Sequence, residues 1–115
     1  MRPKQCLQKR YRFLNEKKNI YFSFIFFSKI SFADEKMILG LDIYNNKAAC
    51  GTCHTLQAAE SSGDIGPNLD MLKPGIEQII NAVTNGIGVM PSWEDVLTPK
   101  EIEAVAYYVF TSTSK

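Results

Sequence analysis

Histidine is almost missing from this chain: His54 is the only one among 115 residues. Cysteine is scarce too, with three copies, and Cys6 stands far from Cys50 and Cys53. Zinc takes four protein ligands, or three and a water, so two Cys and one His are a poor match for it. Cys50 and Cys53 also sit too close together in the sequence to staple distant parts of a fold as a disulfide. No repeat, low-complexity tract or run of strand alternation is present, which removes the βαβ setting of a thioredoxin-like redox pair. Residues 34–115 hold no basic cluster, which disfavours nucleic-acid binding. The longest apolar stretch, Ile20 to Phe27, falls short of the roughly 20 residues a membrane-spanning helix needs.

Charge is divided sharply along the chain. Residues 1–33 carry eight Lys/Arg against one Glu, a net of +7, and residues 34–115 carry five Lys against eleven Asp/Glu, a net of −6. The basic start, the apolar stretch and the small residues of Ser31-Phe32-Ala33 predict a secretory signal peptide over residues 1–33, cleaved after Ala33. Cys6 lacks the small apolar neighbours of a lipoprotein signal and is discarded with it. An uncleaved leader would leave the domain membrane-anchored. What remains, residues 34–115, is a single small domain of the kind that often needs a staple or a cofactor to complete its core.

Three helices are predicted in that domain. The first spans about Asp34 to Asn45, with Met37, Leu41 and Tyr44 on one face, Ile38 alongside, and Gly40 interrupting. Glycine inside a helix costs about 1 kcal/mol relative to Ala, so it marks a close approach by another element. The second begins near Pro74 and ends at Asn85-Gly86, with Ile76, Ile79, Ile80 and Val83 on one face. The third opens with the capping box Thr98-Pro99-Lys100-Glu101, carries Ile102, Val105, Ala106 and Val109 as a stripe, and frays from Thr111. Thr55–Leu72 and Ile87–Leu97 are loops.

The segment that carries chemistry is Cys50-Gly51-Thr52-Cys53-His54. Cys-x-x-Cys-His is the attachment pattern of c-type haem. Two thiols at this spacing add to the two vinyl groups on one porphyrin edge as thioethers, and the following His falls beneath the iron. A covalent haem stays on a domain too small to enclose it, and supplies apolar core. With one His available, the sixth iron ligand must be a methionine or be absent. Met37 sits on a helix among core residues, where Met usually fills gaps. Met71 could be core or lining. Met90 lies in the glycine-rich loop Gly86-Ile87-Gly88-Val89-Met90-Pro91, where glycines let the backbone approach a ring and Pro91 stiffens the exit. Met90 is the preferred candidate.

These motifs in this order, with Gly66-Pro67-Asn68-Leu69 between them and Ile102 to Val109 after, resemble the class I monohaem cytochromes c of the short bacterial, cytochrome c6-like type. The resemblance covers nearly all of residues 34–115. It implies an all-α, small cytochrome c fold, three main helices and loops wrapped around one covalent haem c. It implies that the Pro67 carbonyl accepts a hydrogen bond from the ring of His54, and that His54 and Met90 are the metal ligands. It implies a crossing of the first and last helices at Gly40, against Tyr108 or Tyr107. Trp93 matches a position that often carries an aromatic near the haem edge, though packing accounts for it equally well.

The function implied is single-electron carriage between periplasmic redox partners, a donor dehydrogenase and an acceptor oxidase or reductase, by a monomer. An iron with both axial positions filled has no place for substrate, so the chain is read as a carrier and not an enzyme. Two other readings stay open: a fixed haem subunit of a periplasmic dehydrogenase or oxidase complex, and a haem-based ligand sensor if Met90 does not coordinate. Glu60, Asp64, Asp70, Glu94, Asp95, Glu101 and Glu103 make the domain acidic and point to a basic docking surface on the partner. The identity of that partner, the reduction potential and the pathway are not written in these residues.

Overall fold

The computed structural model describes residues 31–115. Most of the predicted leader therefore lies outside the described residues. Its cleavage point, after Ala33, falls two residues into the first described helix, α1 (Phe32–Asp42). The further helices are α2 (Leu69–Leu72), α3 (Ile76–Asn85) and α4 (Pro99–Thr113). Among the described residues, no helix is long and apolar enough to cross a membrane.

The start of α4 is written in its first residues. Thr98 Oγ1 accepts from the Glu101 N–H at 3.2 Å, and the Glu101 carboxylate accepts from the Thr98 N–H at 2.8 Å. Two of the N–H groups that a helix start leaves without partners are thereby satisfied. The other Glu101 oxygen meets Lys47 Nζ at 2.6 Å, and this ammonium holds the Glu101 carboxyl below its ordinary range. The predicted fraying at Thr111 is corrected by the structure, because α4 runs on to Thr113. That residue is buried and its hydroxyl donates to the Val109 carbonyl at 3.0 Å. A polar side chain that returns its hydrogen bond to its own helix can be buried, which composition alone does not reveal.

The first helix meets α4 at Gly40, against Tyr108, and buries Tyr44 as expected, but differs from prediction in the rest of the face it buries. Gly40, Ile43 and Tyr44 are buried, whereas Ile38 and Leu41 are exposed. The cause is the approach of α4. A Cβ on Gly40 would lie 2.3 Å from the Ala104 carbonyl oxygen and 2.5 Å from Tyr108 Cβ. The helices touch backbone to backbone where there is no side chain, so the apolar count is centred one residue away from the true seam. Beyond Asp42 the helix widens over Ile43–Lys47, closed by Ala48 N–H to Ile43 O at 2.9 Å. This turn places Tyr44 against Tyr108, ring centroids 6.0 Å apart and tilted by 57°. Such an angle brings a ring edge toward a ring face, the favoured aromatic arrangement.

The α3 helix presents Ile79 and Val83 to α4 as its periodicity predicts, with Ile76 and Ile80 half-buried beside them. The segment predicted as loop from Thr55 to Leu72 holds more order than that. Thr55–Leu56 (β1) pairs antiparallel with Ser61–Ser62 (β2), and Asn68 Oδ1 caps α2 by accepting from the Met71 N–H at 3.2 Å. Strands of two residues leave no alternation to read.

Two outcomes follow from the α1–α4 seam. Gly40→Ala forces the helices apart and lowers unfolding stability by about 1–3 kcal/mol, the usual cost of overpacking a tight contact, as measured by urea titration. The second concerns pH. Burial pushes the Tyr44 phenol up to about 12, outweighing its hydrogen bond with Ser61, and raises Tyr108 as well. Between pH 10 and 12 the unfolded chain has released a phenolic proton that native Tyr44 still holds, so stability is complete below pH 10 and falls as pH climbs toward 12. About 2 kcal/mol is lost over that window. Tyr44→Phe flattens the slope, Tyr108 keeping a remainder, in urea titrations at pH 9 and 11.

Candidate haem site

The segment holding Cys50, Cys53 and His54 starts from a left-handed residue. Ala49 has φ 49°, a conformation L-residues adopt at a cost of about 1 kcal/mol or more. It turns the chain into a single tight turn over Cys50–Thr52, closed by Cys53 N–H to Cys50 O at 3.1 Å and His54 N–H to the same oxygen at 3.0 Å. Residues three and four apart on a helical turn share a side. Both thiols and the imidazole thus face one cavity of about 350 Å³.

The lining of that cavity is overwhelmingly apolar. Ile79 and Val83 come from α3, Val105 and Val109 from α4, with Leu69, Trp93 and Tyr44 completing the inner wall. Met90 reaches it from the loop between α3 and α4. Of the methionines among the described residues, Met90 alone lines the cavity; Met37 packs on the core and Met71 is exposed. Pro67 lines it too, so Cys50, Cys53, His54, Pro67 and Met90 are gathered at one place.

Each proposed ligand is held by its own local structure. His54 Nδ1 lies 2.8 Å from the Pro67 carbonyl oxygen. A carbonyl only accepts, so Nδ1 carries the proton and Nε2 keeps the lone pair that can bind a metal. Gly66 leaves the ring its room: a Cβ there would sit 2.6 Å from His54 Cε1. Met90 stands at the end of a two-residue hairpin, with Ile87 and Met90 exchanging N–H···O bonds of 3.1 and 2.9 Å around Gly88 at φ 56°. Glycine with positive φ at the first turn position is what such a hairpin requires. Gly86, at φ 74°, fits beneath the Met90 carbonyl, which a Cβ would approach to 2.6 Å. Trp93 N–H to Val83 O at 2.9 Å and Ser92 Oγ to Thr84 O at 2.5 Å fasten the loop to the end of α3.

Several residues the sequence pattern did not single out stand close behind His54. Ser61 Oγ lies 3.0 Å from the His54 carbonyl oxygen and 3.0 Å from the Tyr44 hydroxyl. Gly63 and Gly51 let the two chain segments pass at backbone distance, and Gly66 N–H donates to the Cys53 carbonyl at 2.7 Å. Small residues in a loop carry no periodic signal. Only the glycines, clustered at 51, 63 and 66, hinted at close packing there.

The chemistry of the site separates the alternatives for the two cysteines. Burial pushes the Cys50 thiol up to about 11. A redox-active pair needs the opposite shift, toward thiolate. Among the described residues no group of three or more His, Cys, Asp and Glu side chains converges as a metal cage would. Two cysteine thiols, an imidazole with Nε2 free, a thioether and an apolar chamber are a donor set that fits haem c. Filling an apolar space of this size is worth at most on the order of 8 kcal/mol at about 24 cal/mol per Å³, comparable with the whole stability of a small domain.

Known proteins carry the same pattern. The family described as cytochrome C oxidase, cbb3-type, subunit III matches residues 37–109. Chloroplastic cytochrome c6 of Chlamydomonas reinhardtii is 34% identical over 84 residues, 64% of this chain and 53% of that protein, so the match spans about half of that relative's length. Cytochrome c6 of Bryopsis maxima is 30% identical over 87 residues, covering 67% of this chain and 92% of that one. The crystal structure of the c-type cytochrome SorU from Sinorhizobium meliloti superposes with a TM-score of 0.67 at 51% identity, over 71% of this chain and 95% of SorU. Fold, motif and sequence agree, and the chain belongs to the cytochrome c family as a small class I monohaem member.

Proposed function

We propose that this protein is a single-electron carrier that holds one haem c through thioethers from Cys50 and Cys53, with His54 and Met90 as axial ligands. The observation that carries the reading is the convergence of Cys50, Cys53, His54 and Met90 on one apolar cavity. When bound, the haem supplies one-electron exchange between Fe(II) and Fe(III).

The chain's own residues have definite tasks in that exchange. Pro67 fixes the proton of His54 on Nδ1 and makes the ring a stronger donor. Met90 contributes a soft sulfur, which favours the reduced state. The aliphatic wall from α3 and α4 keeps water from the ring and limits rearrangement between oxidation states. With His54 and Met90 both holding the iron, no site would be left for substrate, so the proposed role is electron carriage and not catalysis. The partners are a donor dehydrogenase and an acceptor oxidase or reductase of the periplasm, reached as a monomer once residues 1–33 are removed. Cleavage there takes off the exposed Phe32 together with Ser31, whose hydroxyl pairs with Asp34 at 3.1 Å.

A second reading draws on the family description itself, which names a subunit of an oxidase. In that case the domain is a fixed haem subunit of a periplasmic dehydrogenase or oxidase complex, and it co-purifies with that complex from its native host. A free carrier does not.

The deciding experiment is a redox titration with optical spectra on protein matured by a haem-attaching host. One haem per chain, both thiols consumed by mass, and a sulfur-to-iron charge-transfer band in the oxidised form are expected. Met90→Ala abolishes that band, lowers the potential and opens the reduced protein to carbon monoxide. A bare polypeptide mass with free thiols overturns the reading; carbon monoxide binding by the unaltered protein at neutral pH makes it a ligand binder. A second outcome follows from the net −6 of residues 34–115. Electron exchange with a basic partner slows about tenfold or more as added salt shortens the Debye length from about 30 to about 3 Å. A rate indifferent to salt assigns the carboxylates to solubility alone.

A further inference from the structure

We propose that Tyr44 and Ser61 form a hydrogen-bond relay that positions His54 and thereby sets the balance between the two oxidation states, an inference that rests on the haem reading above. The relay joins residues from the widened end of α1 and from β2. Leu56 N–H lies 3.1 Å from Ser61 Oγ, the Tyr44 hydroxyl lies 3.0 Å from it, and Ser61 Oγ lies 3.0 Å from the His54 carbonyl oxygen. A serine hydroxyl has two lone pairs and one proton. Leu56 N–H and Tyr44 O–H fill the lone pairs, and the proton goes to His54. The direct distance from Tyr44 to the His54 carbonyl is 3.4 Å, so the shorter route runs through Ser61.

The setting turns this from a packing detail into a control point. Tyr44 is fully buried, so its hydroxyl has no water to fall back on. Bonds arranged head to tail polarise one another in a low-dielectric interior. The relay ends on the main chain of the residue whose ring is tied by Pro67 at Nδ1 and given room by Gly66. With the carbonyl fixed as well, the imidazole is tied both at its ring and at its main chain. Release of the carbonyl lets the ring tilt and lengthens the Nδ1–Pro67 bond. That bond makes the imidazole electron-rich and favours oxidised iron. Its weakening favours the reduced form. Tyr44 and Ser61 are thus positioning residues acting through His54.

The test uses the matured holoprotein and four forms: the natural sequence, Ser61→Ala, Tyr44→Phe and the double variant. Mass spectrometry establishes that each carries its haem, melting curves report stability, and redox titration reports the oxidation-state balance. Ser61→Ala is expected to raise the ratio of reduced to oxidised protein at a fixed ambient potential by about threefold, half a decade of the one-electron scale. Tyr44→Phe shifts it the same way and by less. The double variant matches Ser61→Ala alone, because the phenol acts through the serine. Variants that melt earlier at an unchanged potential reduce the pair to packing and overturn the proposal, as does a double variant whose shift is the sum of the two singles. Should Ser61→Ala not mature, the potential of Tyr44→Phe decides alone. A natural-sequence protein without haem overturns the carrier reading itself, an outcome distinct from a haem-loaded protein with unmoved variants.

Discussion

An apolar chamber in the middle of a small helical domain is the constraint that organises everything else. Ile79, Val83, Val105 and Val109 turn toward it from two different helices, and Trp93 and Leu69 from the connections. Among the described residues the largest fully buried side chains are Ile43, Tyr44, Leu56 and Val105, and two of these, Tyr44 and Val105, line the chamber themselves. The hydrophobic driving force therefore depends on what the chamber holds as much as on contacts between helices. In such a protein the folding problem and the functional problem coincide. The group that completes the core is the group that does the chemistry, and the residues that grip it also hold the domain together.

That constraint explains the unusual density of main-chain contacts around His54. To present Nε2 to a metal, the ring must keep its proton on Nδ1 and hold one orientation. Pro67, Gly66 and Ser61 each supply part of this from the segment that folds back after β1, and Tyr44 supports it from α1. Among the described residues no buried side-chain polar atom is left without a partner. The polar groups placed this deep are therefore affordable only as a connected set, since a half-satisfied network costs more than an apolar core.

The legible parts of this protein are those where chemistry or periodicity is local. Cys50, Cys53 and His54, which the structure brings to one cavity, announce themselves by spacing, α3 and α4 by apolar stripes and caps, and Met90, which lines the same cavity, by its glycine-rich loop. What escaped the sequence depends on contacts between distant segments. Gly40 marked the crossing with α4 and Tyr44 belonged to the expected face, but a glycine has no side chain to count, so the apolar pattern also pointed to Leu41 and Ile38, which the structure leaves exposed, and passed over Ile43, which it buries. Ser61 and Gly66 lie in a stretch of small polar residues that reads as loop. Their significance appears only once β2 pairs with β1 and the chain turns back over the Cys50–His54 segment. Thr113 is buried because its hydroxyl bonds its own helix, a compensation that composition cannot display. The leader, read from its charges and apolar stretch, lies for the most part outside the described residues.

The two proposed ligands are supported very differently, and the difference bears on how the site can move. His54 is flanked by the cysteines that would be bonded to the ring and is tied through its amide, its carbonyl and its imidazole. Met90 depends on a hairpin fastened to the last turn of α3 by two hydrogen bonds, with Ile87 and Val89 exposed on its flank. Local opening draws on regions with exposed side chains and few cross-links, and Ile87, Gly88 and Val89 are exposed whereas Cys50, Cys53 and His54 are half-buried. The sulfur side is therefore where the site yields first. A domain with a firm imidazole side and a looser thioether side can remain an electron carrier while Met90 stays seated. The Gly86 contact beneath the Met90 carbonyl and the Ser92 and Trp93 fastenings are what hold Met90 at the cavity.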